Sequence, residues 1–325
     1  MNKKKICWLA TGGTIASRPS ANGLAPGFKA AEILQLLPQL NQYGEIDCLD
    51  ILNLDSTNLN PQDWQFMAKY IFDLYNKYDG FVLTHGTDTL AWTCCALHYM
   101  LKNLAKPIAV IGAQRTIEEA NTDAKANLNA AFALAASDKL GVYAICGGQI
   151  ISGIWAKKLY SEDLRSIQSV NHVPVANFDG YDITWNKINL AAKPQAKLIL
   201  QMNLELKVAQ VQIMPGLSPE ILQNLAELGY KAIVLIAYGA GGIPNDLTPI
   251  IEQLTKRGII FVCTTQCIYD GVQMNRYEVG IEACKSGVIP AGKLTIEAAT
   301  VKLMVALGKN YTREQIVQSF AQIEK

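Results

Sequence analysis

The 325-residue chain lacks any real excess of charge: 29 Lys and Arg stand against 28 Asp and Glu, a net of +1. That balance removes the electrostatic reason to expect nucleic acid or an anionic membrane surface as partner, and a small, roughly neutral molecule fits better. No run approaches the ~18 apolar residues of a membrane span. Lys3-Lys4-Lys5 leads into a strand and a glycine turn rather than a signal-peptide core, which points to a cytoplasmic protein. Histidine is scarce, and His85, His98 and His172 make a poor set for a metal. The eight cysteines lack C-x-x-C spacing and lie mostly in apolar stretches, so reduced, packing thiols are expected, with neither metal nor cofactor. The glycines include no G-x-G-x-x-G and no Walker lysine, which weakens phosphate binding. Internal repeats and low-complexity tracts are absent as well.

What is present is a globular balance, 50% hydrophobic and 18% charged, on a chain long enough for two domains of ordinary size. Short apolar runs alternate with helical spacing throughout, a rhythm that predicts α/β architecture with parallel sheets between helices. Strands are predicted at Ile6 to Ala10, Ile46 to Leu54, Asp79 to Leu83, Pro107 to Ile111 and Gly141 to Cys146. In the second half they are predicted at Val208 to Ile213, Ala232 to Ile236 and Ile259 to Thr264. Residues 1–188 are expected to form an N-terminal α/β domain with the catalytic loops, 189–207 an interdomain linker around Pro194, and 208–325 a C-terminal α/β domain. Between Ser17 and Lys29, Pro19, Asn22, Gly23, Pro26 and Gly27 predict a mobile loop without regular structure, placed like a lid.

Reactive side chains gather where strands should end. Thr84-His85-Gly86-Thr87-Asp88-Thr89 lies between Phe81-Val82-Leu83 and a predicted helix from Leu90, and Thr11-Gly12-Gly13-Thr14 follows the first strand. The carboxyl ends of parallel strands share one edge, so Thr14, Ser56, Thr87 and Asp88, distant in sequence, are expected to face one pocket. A threonine hydroxyl is a poor nucleophile until a base takes its proton, and lysine serves only when neutral, which makes Lys157 and Lys158 the candidates. Two adjacent lysines are more often a solvated surface pair. His85, beside a glycine in a loop, is more often a structural hydrogen-bonder than a base.

The segments T-G-G-T-I-A at 11–16, D-S-T-N at 55–58, T-H-G-T-D-T at 84–89, G-A-Q at 112–114 and T-T-Q-C at 264–267 resemble bacterial L-asparaginases, and the likeness runs to K-L-M-V-A-L-G at 302–308. It is greatest to the cytoplasmic type I branch. The resemblance implies a larger N-terminal domain with a mixed, mainly parallel sheet, a smaller parallel C-terminal domain, and usually a homotetramer built from tight dimers. It implies hydrolysis of the side-chain amide of L-asparagine to L-aspartate and ammonia. Thr14 would be the first catalytic threonine and form an acyl-enzyme, with Thr87, Asp88 and Lys158 as second threonine, aspartate and lysine. Ser56 and Asp88 would hold the substrate's α-carboxylate and α-ammonium, Thr57 would line that pocket, and the Ala113 carbonyl would contact the amide nitrogen. The lid of many relatives carries a tyrosine that residues 17–29 lack, and Tyr277 is the expected substitute. Asparagine regulates some type I members, and Cys267 lies in the matching stretch.

Three rival readings stand beside this one. The amidase subunit of a glutamyl-tRNA amidotransferase resembles the same fold but carries an additional N-terminal domain, whereas ten residues precede Thr11 here. Glutamine as the preferred substrate stays open, since one methylene is worth only ~1–3 kcal/mol in a pocket. A non-catalytic binder of amino acids or nucleotides would use the same strand ends without threonine chemistry.

Overall fold

The computed structural model describes residues 3–20, 23–187 and 194–322. The chain divides into two compact units, Met1–Met202 and Asn203–Lys325. Of the expected linker, residues 189–193 lie outside the described ones.

In chain order the first unit contains β1 (Lys5–Gly12), β2 (Ser17–Ser20), β3 (Gly23–Pro26), α1 (Ala30–Leu36), β4 (Glu45–Leu54), α2 (Pro61–Leu74), β5 (Gly80–Thr84), α3 (Leu90–Met100) and β6 (Leu101–Lys102). There follow β7 (Pro107–Ile111), α4 (Ala124–Ala135), β8 (Gly141–Cys146), β9 (Gln149–Ser152), β10 (Ala156–Lys158), β11 (Ile167–Ser169), β12 (Ala176–Asp179), β13 (Asp182–Trp185) and β14 (Ile199–Leu200). The main sheet runs β13-β12-β9-β8-β7-β5-β1-β4. Its five strands from β8 to β4 are mutually parallel, and β9, β12 and β13 join antiparallel to complete the mixed sheet.

The continuous apolar run of β1 reflects burial on both faces. Ile6, Trp8 and Ala10 share a core with Leu128, Ala131 and Phe132 of α4, and Trp8 meets Phe132 edge-on at 5.3 Å. The α2 start is fixed locally, by Pro61 in its first turn and a capping box in which Asn60 and Asp63 satisfy each other's backbone N–H groups.

The chain passes from β1 outward to β4, then returns to the other side of β1 to lay down β5, β7 and β8. The direction of winding reverses at β1, and the carboxyl ends of β1 and β5 flank the crevice such a reversal opens.

The second unit holds β15 (Val208–Gln212), α5 (Glu220–Glu227), β16 (Ala232–Ala237), α6 (Thr248–Lys256), β17 (Ile260–Thr265), α7 (Glu278–Lys285), β18 (Val288–Pro290), α8 (Ile296–Gly308) and α9 (Arg313–Ala321). Its sheet, β15-β16-β17-β18, is parallel throughout.

One expectation is corrected. The segment after Thr14 carries regular structure, since β2 and β3 pair antiparallel from Ser17 opposite Pro26 to Ser20 opposite Gly23. Proline is tolerated on edge strands, and both strands of a two-stranded ribbon are edges, so Pro19 and Pro26 do not forbid it. The ribbon's base is held where Ala16 O accepts the N–H groups of Gly27 and Phe28, both at 2.8 Å, and where the Arg18 guanidinium stacks 3.7 Å from the Phe28 ring.

Candidate active site

Two glycine turns meet at the carboxyl ends of β1 and β5. Gly12 and Gly13 have φ of 103° and 84°, which L side chains rarely adopt, and a Cβ on Gly13 would lie 2.5 Å from Gly86 N. Backbone touches backbone one residue before each threonine, so the Thr14 and Thr87 turns are in contact. Thr11 Oγ1 ties them further by donating to Thr84 O at 2.7 Å.

A third loop closes on the same point. Ser56, buried after β4, presses against Gly86, where a Cβ would sit 2.5 Å from Ser56 Oγ. Thr89 Oγ1 donates to Ser56 O at 2.8 Å. The fourth loop follows β7: a Cβ on Gly112 would come within 2.9 Å of Thr87 Cγ2, so the glycine makes room for the threonine methyl.

Lys158, the last residue of β10, joins the cluster. Its Nζ donates to Thr87 Oγ1 at 2.9 Å and to Asp88 Oδ1 at 2.5 Å. The Lys158 side chain is 20% exposed and that of Asp88 51%, so the amine lies within the site while the carboxylate is open to a ligand. Thr87 Oγ1 in turn donates to Gln114 Oε1 at 3.2 Å. Asp123, at the start of α4, accepts from Gln114 N at 3.0 Å and Arg115 N at 3.1 Å. Asn127 Nδ2 bridges Asp123 Oδ2 and Gly112 O. Desolvation pushes the Asp123 carboxyl above the usual range, partly offset by these N–H donors.

His85 is fully buried. Its Nδ1 lies 2.7 Å from Gly86 O, a pure acceptor, and its Nε2 lies 2.8 Å from Thr93 Oγ1, so the ring donates from Nδ1 and accepts at Nε2. Burial lowers its pKa to about 4, with the Gly86 carbonyl opposing. It is a neutral strut between the turn and α3.

Thr14, Ser56, Thr87, Asp88 and the buried Ala113 thus stand on connections at one end of the first unit's main sheet, and Lys158 reaches them from the end of β10. Thr57 is exposed, and its hydroxyl donates to Asp55 Oδ1 at 2.8 Å within its own turn. Tyr277 belongs to the second unit, immediately before α7, and is 55% exposed. Sequence reasoning missed the side chain of Gln114 and the carboxylate of Asp123, which turns back to the 112–115 loop. Among the described residues, no three His, Cys, Asp or Glu side chains gather as a metal site. An open cavity of about 810 Å³ lies elsewhere, lined by Asp47, Lys77 and Tyr78 near the amino ends of β4 and β5, away from the hydroxyls.

A crevice at the winding reversal, with hydroxyls, an amine and a carboxylate at its mouth, is a layout suited to an α/β-fold enzyme that cleaves an acyl bond. Comparison with known proteins narrows the class. Residues 5–190 match the family described as Asparaginase, N-terminal, and 207–320 the Glutaminase/Asparaginase C-terminal domain. The chain is 39% identical to an L-asparaginase of Thermococcus kodakarensis over 319 residues, covering 96% of this chain and 95% of that protein. It is 33% identical to one of the subunits of the glutamyl-tRNA(Gln) amidotransferase of Pyrococcus abyssi, covering 96% of this chain and 74% of that one. The crystal structure of L-asparaginase I from Vibrio cholerae superposes with a TM-score of 0.88 at 28% identity, over 99% of this chain and 98% of that one. The chain belongs to the asparaginase family and is a hydrolase acting on an amide.

Proposed function

We propose that this enzyme hydrolyses the side-chain amide of L-asparagine to L-aspartate and ammonia through a threonine nucleophile and an acyl-enzyme. The observation that carries the reading is the Lys158 amine, 2.9 Å from Thr87 Oγ1 and 2.5 Å from Asp88 Oδ1, on a turn that touches the Thr14 turn.

In its neutral form Lys158 accepts the proton that a threonine hydroxyl must shed to attack. Thr14 Oγ1 adds to the amide carbon, backbone N–H groups of the two turns receive the developing oxyanion, and the nitrogen leaves as ammonia with the proton that Lys158 took up, which restores the neutral amine. Water then gives a proton to Lys158, which Thr87 holds in place, the hydroxide adds to the ester carbon, and the proton passes from Lys158 to the departing Thr14 oxygen. Asp88 offers its half-exposed carboxylate to the substrate's ammonium, Ser56 and Thr57 accommodate the α-carboxylate, and the Ala113 carbonyl receives the amide N–H. The N-terminus of α3, starting at Leu90, adds a favourable field for that anion. Tyr277 is proposed to support the Thr14 hydroxyl, and unchanged turnover in Tyr277→Phe would remove it from the scheme.

The match of residues 207–320 to the Glutaminase/Asparaginase C-terminal domain favours a second reading, ammonia release from glutamine. The preferred amide is expected to lead by about 10- to 200-fold in kcat/KM, the reach of one methylene. The type I assignment is supported by the likeness to L-asparaginase I of Vibrio cholerae, and a cytoplasmic location by eight free thiols, which suit a reducing compartment.

A coupled ammonia assay with asparagine and glutamine tests the proposal. Thr14→Ala, Thr87→Ala and Lys158→Met are each expected to lower kcat by about a thousandfold or more with the fold retained. Wild-type rates in both threonine variants would end the nucleophile scheme. Mass spectrometry of quenched turnover should find the acyl increment on Thr14; an increment on Thr87 would exchange the two roles.

A further inference from the structure

We infer that Gln114 is a positioning residue that sets the direction of the Thr87 hydroxyl, an inference that rests on the functional reading above. The argument begins with the orientation of its amide. Gln114 Nε2 faces two backbone carbonyls, Ser161 O at 2.9 Å and Asp163 O at 3.4 Å. Carbonyl oxygens only accept, so the NH₂ end must point there and the oxygen end must face Thr87. Oε1 has no proton to give. It therefore accepts the hydrogen bond of the single Thr87 hydroxyl proton at 3.2 Å, and the lone pairs of Thr87 Oγ1 turn to Lys158 Nζ, which donates at 2.9 Å.

The threonine is pinned on its other branch by the close approach of Gly112 to its methyl. The amide is pinned through its own backbone, because Gln114 N donates to Asp123 at 3.0 Å. A carboxamide does not accept a proton at ordinary pH, so Gln114 directs the hydroxyl without acting as a base. It also links the Thr87 turn to the 159–166 segment that follows Lys158, so that Thr87 Oγ1 keeps accepting an N–H of Lys158 and the amine's own lone pair is left for the proton of the attacking hydroxyl or water. Ionisable residues near position 114 include Lys158 and Asp88 across Thr87, Asp123 at its backbone N–H, the adjacent Arg115, and Glu162, Asp163 and Arg165 on the segment whose carbonyls the amide contacts.

Two variants test this in the intact enzyme. Gln114→Met keeps the length and removes the amide. It is expected to lower kcat about tenfold to a hundredfold, the effect of one lost orienting hydrogen bond, with KM for asparagine within about threefold. Gln114→Glu puts a carboxylate beside Lys158 and favours its ammonium form, so the rising limb of the kcat/KM-against-pH profile should move up by about one unit. Gln114→Met should leave that limb in place. Should Gln114→Met fail to fold, the limb shift in Gln114→Glu decides, and an unmoved limb overturns the inference. A Gln114→Met kcat within twofold of wild type, with Thr87→Ala inactive, overturns the inference and leaves the functional reading standing. A wild-type enzyme that releases no ammonia from asparagine or glutamine ends both.

Discussion

His85 stands two residues from Thr87, yet both ring nitrogens are spent on Gly86 O and Thr93 Oγ1 and water does not reach it. The folded protein holds it neutral, with a pKa of about 4 against an ordinary 6.5. Between those values the unfolded chain binds more protons, so stability rises with pH there and is lost as pH falls through the ordinary value. The loss is expected to reach about 3 kcal/mol at the acid end. Urea denaturation between about pH 7 and pH 4 checks it: His85→Gln should show a smaller drop in midpoint than wild type, and parallel profiles would refute the assignment. At this scale the sequence was partly legible. The structural role of His85 followed from its place beside a glycine, but the selection of Lys158 over Lys157 needed the family resemblance. The structure adds its own ground, since adjacent strand residues point to opposite faces and Lys158 is the one that meets Thr87 and Asp88.

At the scale of elements, the site is built by glycines that remove side chains where loops converge. Gly13 is the tightest case, with positive φ and a 2.5 Å approach to Gly86 N, which is backbone and cannot swing aside. Gly13→Ala is expected to cost about 2–4 kcal/mol by chemical denaturation and to depress kcat/KM at least tenfold by parting the two threonine turns. An alanine variant with unchanged stability and turnover would mean the contact is dispensable. The predicted strands of the first unit and the helix from Leu90 were found to within a few residues, because apolar runs are local signals. The ribbon of β2 and β3 was not. Its proline and glycine content argues against a strand inside a sheet, and only the pairing of the two segments lets their backbones satisfy one another.

For the molecule as a whole, the decisive feature is the winding reversal at β1, which gathers residues 14, 56, 87 and 113 at one end of the sheet. Family membership covers both units, and the homotetramer remains a proposal carried from the resemblance. Light scattering is expected to give a mass of about 142 kDa, four times the 35.5 kDa chain, and a monomeric mass with full turnover would dismiss it. The sequence by itself determined the alternation of elements, the hydroxyl-bearing turns and the family, since each is written in contiguous residues. The tertiary structure alone decided which amine meets which hydroxyl, that Asp123 turns to the 112–115 loop, and that Gln114 Oε1 accepts the hydrogen bond of the Thr87 hydroxyl. Those partners lie 9 to 71 residues apart in the chain, and only the packed sheet brings them within hydrogen-bond reach.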